Sequence, residues 1–441
     1  MTKTVAVVGG GWAGIAAAVT AIQRGQRVSL IEMAGHLGGR ARSVGASSSS
    51  SPAAATAANG EDQRLLDNGQ HILIGAYTKS LALMKTIGVD PEQALLRMPL
   101  RLRYPDHEGL SLPPGAPLAS FAGGVLAHRK WPLAARLRLL ARASVWLLRR
   151  FKCKPSLSVS ELCAALPKIV REELIEPLCV AALNTPAKRA SAQVFLRVLH
   201  DALFSGRGGS DLLLPRLGLS ALLAEPAHAW LRQQGCHVRL GTRAGELIQQ
   251  QPGGWLLDSQ FFDTVILACP AGEAARLCQP FAPEWSATAQ TLGFEPIITV
   301  YLQSAGSSLP APMVTLRDGP QAPAQFVFDL GQTGREAGLF AFVVSGAAPW
   351  VERGLDQTGE AVLAQARREL SWSKPPQILR VLAEKRATFA CTPGLKRPPM
   401  LIRPGLLAAG DFVDGPYPAT LEGAVRSGAA AADAVISTGG D

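Results

Sequence analysis

A chain of 441 residues, 47% hydrophobic and 18% charged, can bury a large core and calls for two or three domains. Its 7 cysteines include no CxxC pair, so neither a disulfide framework nor a zinc site is indicated, no metal is expected, and a reducing cytoplasm is the natural setting. Residues 5–22 carry no charge, but their glycines make a poor lipid-facing surface, and the uncharged stretch 109–127 is broken by Pro113, Pro114, Gly115 and Pro117. No transmembrane helix is therefore expected.

In chain order, Val5-Ala6-Val7-Val8 reads as a short buried strand and Gly9-Gly10-Gly11-Trp12-Ala13-Gly14 follows at once. Ile15 to Gln23 is an Ala-rich helix, Arg24-Gly25-Gln26 a turn, and Val28 to Ile31 a second strand ending at Glu32. In this context Gly9 permits a tight turn, Gly11 lets backbone approach a pyrophosphate, and Gly14 lets helix and strand pack closely. The helix start offers free N–H groups and positive dipole charge to phosphates, and Glu32 can accept hydrogen bonds from a ribose. Gly9, Gly10, Gly11, Trp12, Ala13, Gly14 and Glu32 are thus candidate dinucleotide contacts. The alternative is a structural turn in a doubly wound sheet. Farther on, Gly38 and Gly39 would clear space for a longer cofactor and Arg40 would neutralise phosphate charge.

Ala46 to Asn59 is a Ser/Ala run without periodicity, read as a mobile surface insertion. Asp67-Asn68-Gly69-Gln70-His71 leads into an apolar stretch and a helix from Thr78 to Ile87. From Gly109 to Ser160 there is no carboxylate, whereas Arg129, Lys130, Arg136, Arg138, Arg142, Arg149, Arg150, Lys152 and Lys154 all fall there. On a helical wheel Leu133, Leu137, Leu140, Ser144, Leu147, Leu148 and Phe151 share one side, with Arg138, Arg142 and Arg149 opposite. Such a helix suits an anionic membrane surface through 128–154, or else a solvated domain face. Nucleic acid is a poor third partner for this charge, because no recognised binding module or aromatic platform accompanies it.

A mainly helical region spans roughly 128–204. A helix then runs to Gln234, a strand covers 236–240 with the candidate cofactor contact Ala244 just beyond, and a buried strand covers 262–270. Strands near 297–303, 325–330 and 339–345 and a helix at 358–370 suggest a mixed sheet. Leu406 to Ala409 leads into Gly410-Asp411, and a small-residue helix follows Tyr417-Pro418-Ala419-Thr420-Leu421.

The Gly38–Gly39 doublet and the Gly410-Asp411 junction resemble the flavin amine oxidase and carotenoid desaturase superfamily, which binds FAD. That resemblance implies that Asp411 bonds the ribityl or pyrophosphate region and that the helix start at Thr420 and Leu421 points at the flavin pyrimidine. It also implies an α/β fold, α+β overall. A discontinuous Rossmann-like FAD-binding domain would comprise 1–85, 205–285 and 385–441, with a helical and mixed-sheet substrate domain inserted as 86–204 and 286–384.

Four stretches narrow the resemblance: 66–71 with Gly75-Ala76-Tyr77, Pro177 to Thr185, Asp211 to Pro215, and Tyr417 to Ala424. Together they look like the squalene-associated FAD-dependent desaturases, the hydroxysqualene dehydroxylases of hopanoid synthesis. The implied reaction turns hydroxysqualene and reduced flavin into squalene, water and oxidised flavin. A hydride from flavin N5 meets an allylic-type carbocation after the hydroxyl departs. The implied partners are a long apolar C30 isoprenoid and an external electron donor, since no second GxGxxG offers a nicotinamide site. The setting is cytoplasmic, with peripheral attachment to the inner face of the cell membrane left open.

His71 is the first candidate proton donor, as an imidazolium near neutral pH, and Tyr417 the second. Gly69 and Gln70 are read as flavin contacts, and Asp67 as orienting His71 or capping a turn. Noncovalent FAD is expected, with Cys269 and Cys391 the remote attachment points. Two other functions stay open: a carotenoid-type desaturase running the hydride from substrate to flavin, and a non-catalytic flavin-binding scaffold. An amine oxidase is disfavoured, since no aromatic cage is identifiable.

Overall fold

The computed structural model describes residues 2–45, 65–204 and 206–437, so the Ser/Ala insert at 46–59 lies outside the described residues. Its organising element is a six-stranded sheet centred on Thr4–Val8. That strand pairs in parallel with Arg27–Ile31 on one side and Thr264–Leu267 on the other. His237–Arg239 extends the first side and Leu406–Ala408 the second, both in parallel, and Leu401–Arg403 closes the edge antiparallel. An uncharged Val5-Ala6-Val7 run suits this central place: all three side chains are fully buried, as a parallel strand covered on both faces requires. The α/β class and the Rossmann-like sheet expected from the sequence are both present.

The Trp12–Gln23 helix follows the first strand and crosses the Leu421–Ser437 helix from the other end of the chain. The crossing is close because Gly428 has no side chain; a Cβ there would lie 2.0 Å from the Ala13 carbonyl oxygen. Lys3 Nζ donates to the Val435 carbonyl and Arg24 pairs with Asp433, which further fastens the two ends together.

A second sheet joins, in order, Met313–Thr315, Phe326–Asp329, Leu339–Val344, Phe294–Gln303 and Gln377–Phe389. A mixed sheet was expected here, but every pair is antiparallel. Hairpin-like returns link three of its strands, and the Leu355–Glu369 helix brings the chain back to the Phe294–Gln303 strand from the opposite direction. The apolar stretch after His71 contributes a two-residue strand, Leu73–Ile74, which pairs with Leu212–Pro215. The sequence reading lacked Leu95–Met98, Arg101–Tyr104, His107–Ser111 and the three-stranded meander from Leu247 to Phe262.

The region 128–204 is helical, and its basic helix, Leu133–Leu148, is seated in an unusual way. Ala135, Leu139 and Trp146 face inward, and Arg142 reaches inward to the Leu162 carbonyl at 2.8 Å. Leu133, Leu137 and Leu148 face outward at 56%, 52% and 83% exposure, beside the exposed Leu118 and Leu126 of the Pro117–Ala127 helix. No helix among the described residues is long and apolar enough to cross a membrane.

Candidate functional site

Both ends of the chain and the loops after the first two strands meet at the carboxyl edge of the parallel sheet. Gly9 has φ +111, and a Cβ there would meet Ala268 backbone at 2.5 Å. At Gly14 a Cβ would fall 1.8 Å from the Gly9 carbonyl, which is the close helix–strand approach expected of it. A Cβ on Gly10 would strike Leu37 at 2.4 Å. Gly11 differs: its Cβ would meet nothing nearer than Gly39 Cα, 3.9 Å away. Gly39 itself has φ +61, and Gly38 donates to the Gly10 carbonyl at 2.9 Å. Two glycine turns thus lie backbone to backbone and leave open space at Gly11.

Gly11 is the N-cap of the Trp12–Gln23 helix and no side chain caps that end. Trp12 Nε1 is buried without a hydrogen-bond partner among the described residues. A side-chain-free cradle at an uncapped helix start fits the phosphates of a dinucleotide. Glu32 closes one end of it: Oε2 accepts from the Gly10 N–H at 2.6 Å and Oε1 from the Ala34 N–H at 2.7 Å. Each oxygen keeps a lone pair for a ribose hydroxyl. Thr242 donates to the Glu32 carbonyl at 2.9 Å, which brings nearby Ala244 to the same end.

Arg40 links the loops. Its Nη2 lies 2.6 Å from Asp411 Oδ1 and its Nη1 donates to the Ala387 carbonyl at 2.9 Å. The Asp411 charge raises the Arg40 pKa, so the guanidinium stays cationic. Gly410, at φ +155, would press a Cβ into the Phe412 ring at 2.6 Å. At the C-terminal helix, Leu421 is the first residue and Thr420 Oγ1 accepts from the Gly423 N–H at 3.1 Å.

Sequence reasoning missed several residues that hold this geometry. Asn68 bridges the Arg40–Arg42 loop, donating to the Arg40 carbonyl at 2.5 Å and accepting from the Arg42 N–H at 3.1 Å. Arg397 donates to the carbonyls of Asp411 and Tyr417, tying down the last loop. Tyr301 comes from the second sheet; its hydroxyl donates to the Asp67 carbonyl at 2.8 Å and accepts from Gln70 Nε2 at 2.9 Å. Gln70 is thereby anchored to Tyr301. Asp67 does not hydrogen-bond His71: it accepts from Ser43, Leu219 N–H and Arg335, the last at 2.6 Å. Only the Asp–Asn–Gly–Gln spacing hinted at this network, because its partners lie far away in sequence.

Beside Gly69, whose Cβ would lie 3.7 Å from Nε2, His71 is partly buried. Burial lowers its pKa to about 4, outweighing the Asp67 charge. That shift favours the neutral ring, against the imidazolium form expected from the sequence. Tyr417 is half-buried, with the Arg197 guanidinium 5.3 Å and the Arg426 guanidinium 5.2 Å from its ring centroid. Burial raises its pKa. This tyrosine joins the last loop to the helical layer instead of standing free.

A family model described as flavin containing amine oxidoreductase matches residues 12–436. A hydroxysqualene dehydroxylase of Rhodopseudomonas palustris is 29% identical over 480 residues, covering 100% of each chain. Another, from Zymomonas mobilis, is 24% identical over 98% of each. Among solved structures, an oxidoreductase from Methanosarcina mazei superposes with a TM-score of 0.73 at 14% identity, over 98% of this chain and 100% of that one. At that identity the likeness shows the fold alone.

Proposed function

The chain belongs to the flavin containing amine oxidoreductases, and on that premise we propose that it is a hydroxysqualene dehydroxylase, an FAD-dependent oxidoreductase. The reaction is hydroxysqualene plus reduced FAD giving squalene, water and FAD. The observation that carries this reading is end-to-end similarity to relatives of that name. FAD supplies, when bound and reduced, the hydride that replaces the departing hydroxyl.

The protein's own part is binding, orientation and exclusion of water. Gly9 to Gly14 and the uncapped helix start hold the pyrophosphate, with Gly38, Gly39 and Arg40 along it. Glu32 and Ala244 take the adenosine end, Asp411 the ribityl end, and Thr420 and Leu421 the pyrimidine side. Gly69 and Gln70 line the turn opposite, with Gln70 held by Tyr301. Neutral His71 binds the substrate hydroxyl through a ring N–H and positions it for departure. Tyr417 is the second candidate, in competition with its role as a tether. Apolar side chains of the helical layer shield the reacting carbon from water.

The cofactor domain of this proposal comprises 1–85, 205–285 and 385–441, and the substrate domain 86–204 and 286–384. All six strands of the first sheet arise from the former segments, which supports the division, although the Gln377–Phe389 strand of the second sheet runs across its boundary at 385. FAD is held noncovalently: the Cys269 and Cys391 thiols are buried and their pKa values are pushed up, the latter to about 12, so neither is a ready nucleophile. Partners are a C30 isoprenoid, an external electron donor and an anionic membrane surface met through 128–154. The outward leucines of Leu133–Leu148, flanked by basic residues, support the last of these. The corresponding location is cytoplasmic, at the inner face of the membrane.

The test is anaerobic mixing of chemically reduced holoenzyme with hydroxysqualene. Squalene should appear together with the oxidised-flavin spectrum, one for one. Reduced enzyme that stays inert toward hydroxysqualene would sink the proposal.

A further inference from the structure

Three side chains from separate segments converge outside the cradle. His107 opens the His107–Ser111 strand, His128 follows the Pro117–Ala127 helix, and Glu173 lies in the Arg171–Ile175 π-helical turn. One ligating atom from each lies within 4.8 Å of the others. His107 Nε2 is 3.6 Å from Glu173 Oε2, close to the ligand–ligand spacing of about 3.3–3.6 Å that bonds to a tetrahedral zinc ion impose.

The hydrogen bonding around these groups is lopsided. His128 is 5% exposed, and neither of its ring nitrogens has a partner among the described residues. His107 Nε2 is likewise buried without one. The atoms around them are well provided for. Asp106 Oδ1 takes His107 Nδ1 at 2.9 Å, which leaves the Nε2 lone pair directed elsewhere. Trp131 Nε1 donates to Glu173 Oε2 at 2.8 Å, and its ring stacks on His128 at 4.0 Å. Arg317 holds the other carboxylate oxygen, Oε1, at 3.5 Å. Buried imidazole nitrogens rarely go unpartnered, and a carboxylate behind one histidine with a donor behind the carboxylate is how metal ligands are oriented.

We propose that His107, His128 and Glu173 bind one divalent transition-metal ion of the zinc type, with water completing the tetrahedron. The two imidazoles and one carboxylate suit a borderline ion better than calcium or magnesium. The ion would clamp the hairpin, the helix end and the π-turn, three segments with no shared hydrogen-bonded ladder. The cysteine pattern gave no sign of it because no ligand is a cysteine. This inference is independent of the flavin chemistry.

The experiment uses chelator-stripped holoenzyme dialysed against zinc sulfate or cobalt chloride. Bound metal is measured after gel filtration, and the cobalt form is checked for the visible d–d bands of tetrahedral nitrogen and oxygen ligation. One equivalent per chain is expected, with at least a tenfold loss of affinity in His128→Asn, Glu173→Gln and His107→Gln, and about tenfold in Asp106→Asn. Flavin absorbance reports that each variant is folded, and Asp106→Asn, at a half-exposed side chain, covers the case in which His128→Asn is not. No retained metal, or an equivalent retained unchanged by folded His107→Gln and Glu173→Gln, would overturn the proposal.

Discussion

Gly11→Ala should push the cofactor-free protein and the FAD complex in opposite directions. Gly11 has φ −73 and ψ −178, an extended conformation open to any residue. Its added methyl would meet nothing nearer than Gly39 Cα at 3.9 Å. Without flavin the substitution mainly restricts the unfolded chain, and stability should rise by about 0.4–1 kcal/mol. The same methyl occupies the space through which a pyrophosphate must approach. Crowding of that kind costs about 1–3 kcal/mol, a rise in Kd of roughly 5- to 150-fold.

At an FAD concentration of 100 times its wild-type Kd, wild-type protein gains about 2.7 kcal/mol of stability, and a variant binding 30-fold more weakly gains under about 1 kcal/mol. Urea denaturation with and without FAD, together with a titration of flavin fluorescence, measures both quantities. Unchanged affinity in Gly11→Ala, or an apoprotein destabilised by more than about 1 kcal/mol, would refute the cradle reasoning. Gly14→Ala is the contrast: its Cβ would sit 1.8 Å from the Gly9 carbonyl, so it should destabilise with or without flavin.

Lowering the pH should expose His71. Its folded pKa of about 4 lies below the ordinary 6.5, so its contribution to stability is present above 6.5 and is lost as pH falls through about 4. Turnover should be flat between about pH 6 and 8, and a His71-dependent decline as pH rises through that range, absent in His71→Gln, would restore the imidazolium donor. Arg335→Met strips the cation from buried Asp67, which keeps its Ser43 and Leu219 donors. A loss of about 3 kcal/mol is expected in urea denaturation, and one under about 1 kcal/mol would mean that the pair contributes little. Leu137→Glu combined with Leu148→Glu should abolish co-sedimentation with phosphatidylglycerol vesicles at unchanged flavin content. Undiminished sedimentation would assign membrane contact to another surface.

What was legible in the sequence is what neighbours along the chain decide. The strand–turn–helix–strand unit from Thr4 to Ile31 is local, and Gly14 is demanded by the Gly9 carbonyl within the same turn, whereas Gly9 answers to the distant Ala268 backbone. The Gln377–Phe389 strand went unread because it lies at a sheet edge, half-exposed, with Arg380, Glu384, Lys385 and Arg386 interrupting any apolar alternation. Asn68, Tyr301, Arg335 and Arg397 are ordinary residues in sequence and become supports only when distant segments meet. The basic helix shows a different limit. Its wheel sorted leucine from arginine correctly, but the choice of inward side belongs to Trp146 and to the Leu162 carbonyl awaiting Arg142.

The central strand of the parallel sheet has a consequence for biosynthesis. Residues 4–8 leave the ribosome well before their flanking neighbour 264–267 and before the sheet's far side at 401–408. At about 5–20 residues per second, the roughly 260 further residues to that neighbour take on the order of 13–52 s. Throughout that interval a sticky, uncharged ribbon waits with one flank unpaired, an obvious client for a holdase. Because the proposed cofactor site draws on Gly410, Asp411, Thr420 and Leu421, chains truncated before that segment should emerge colourless.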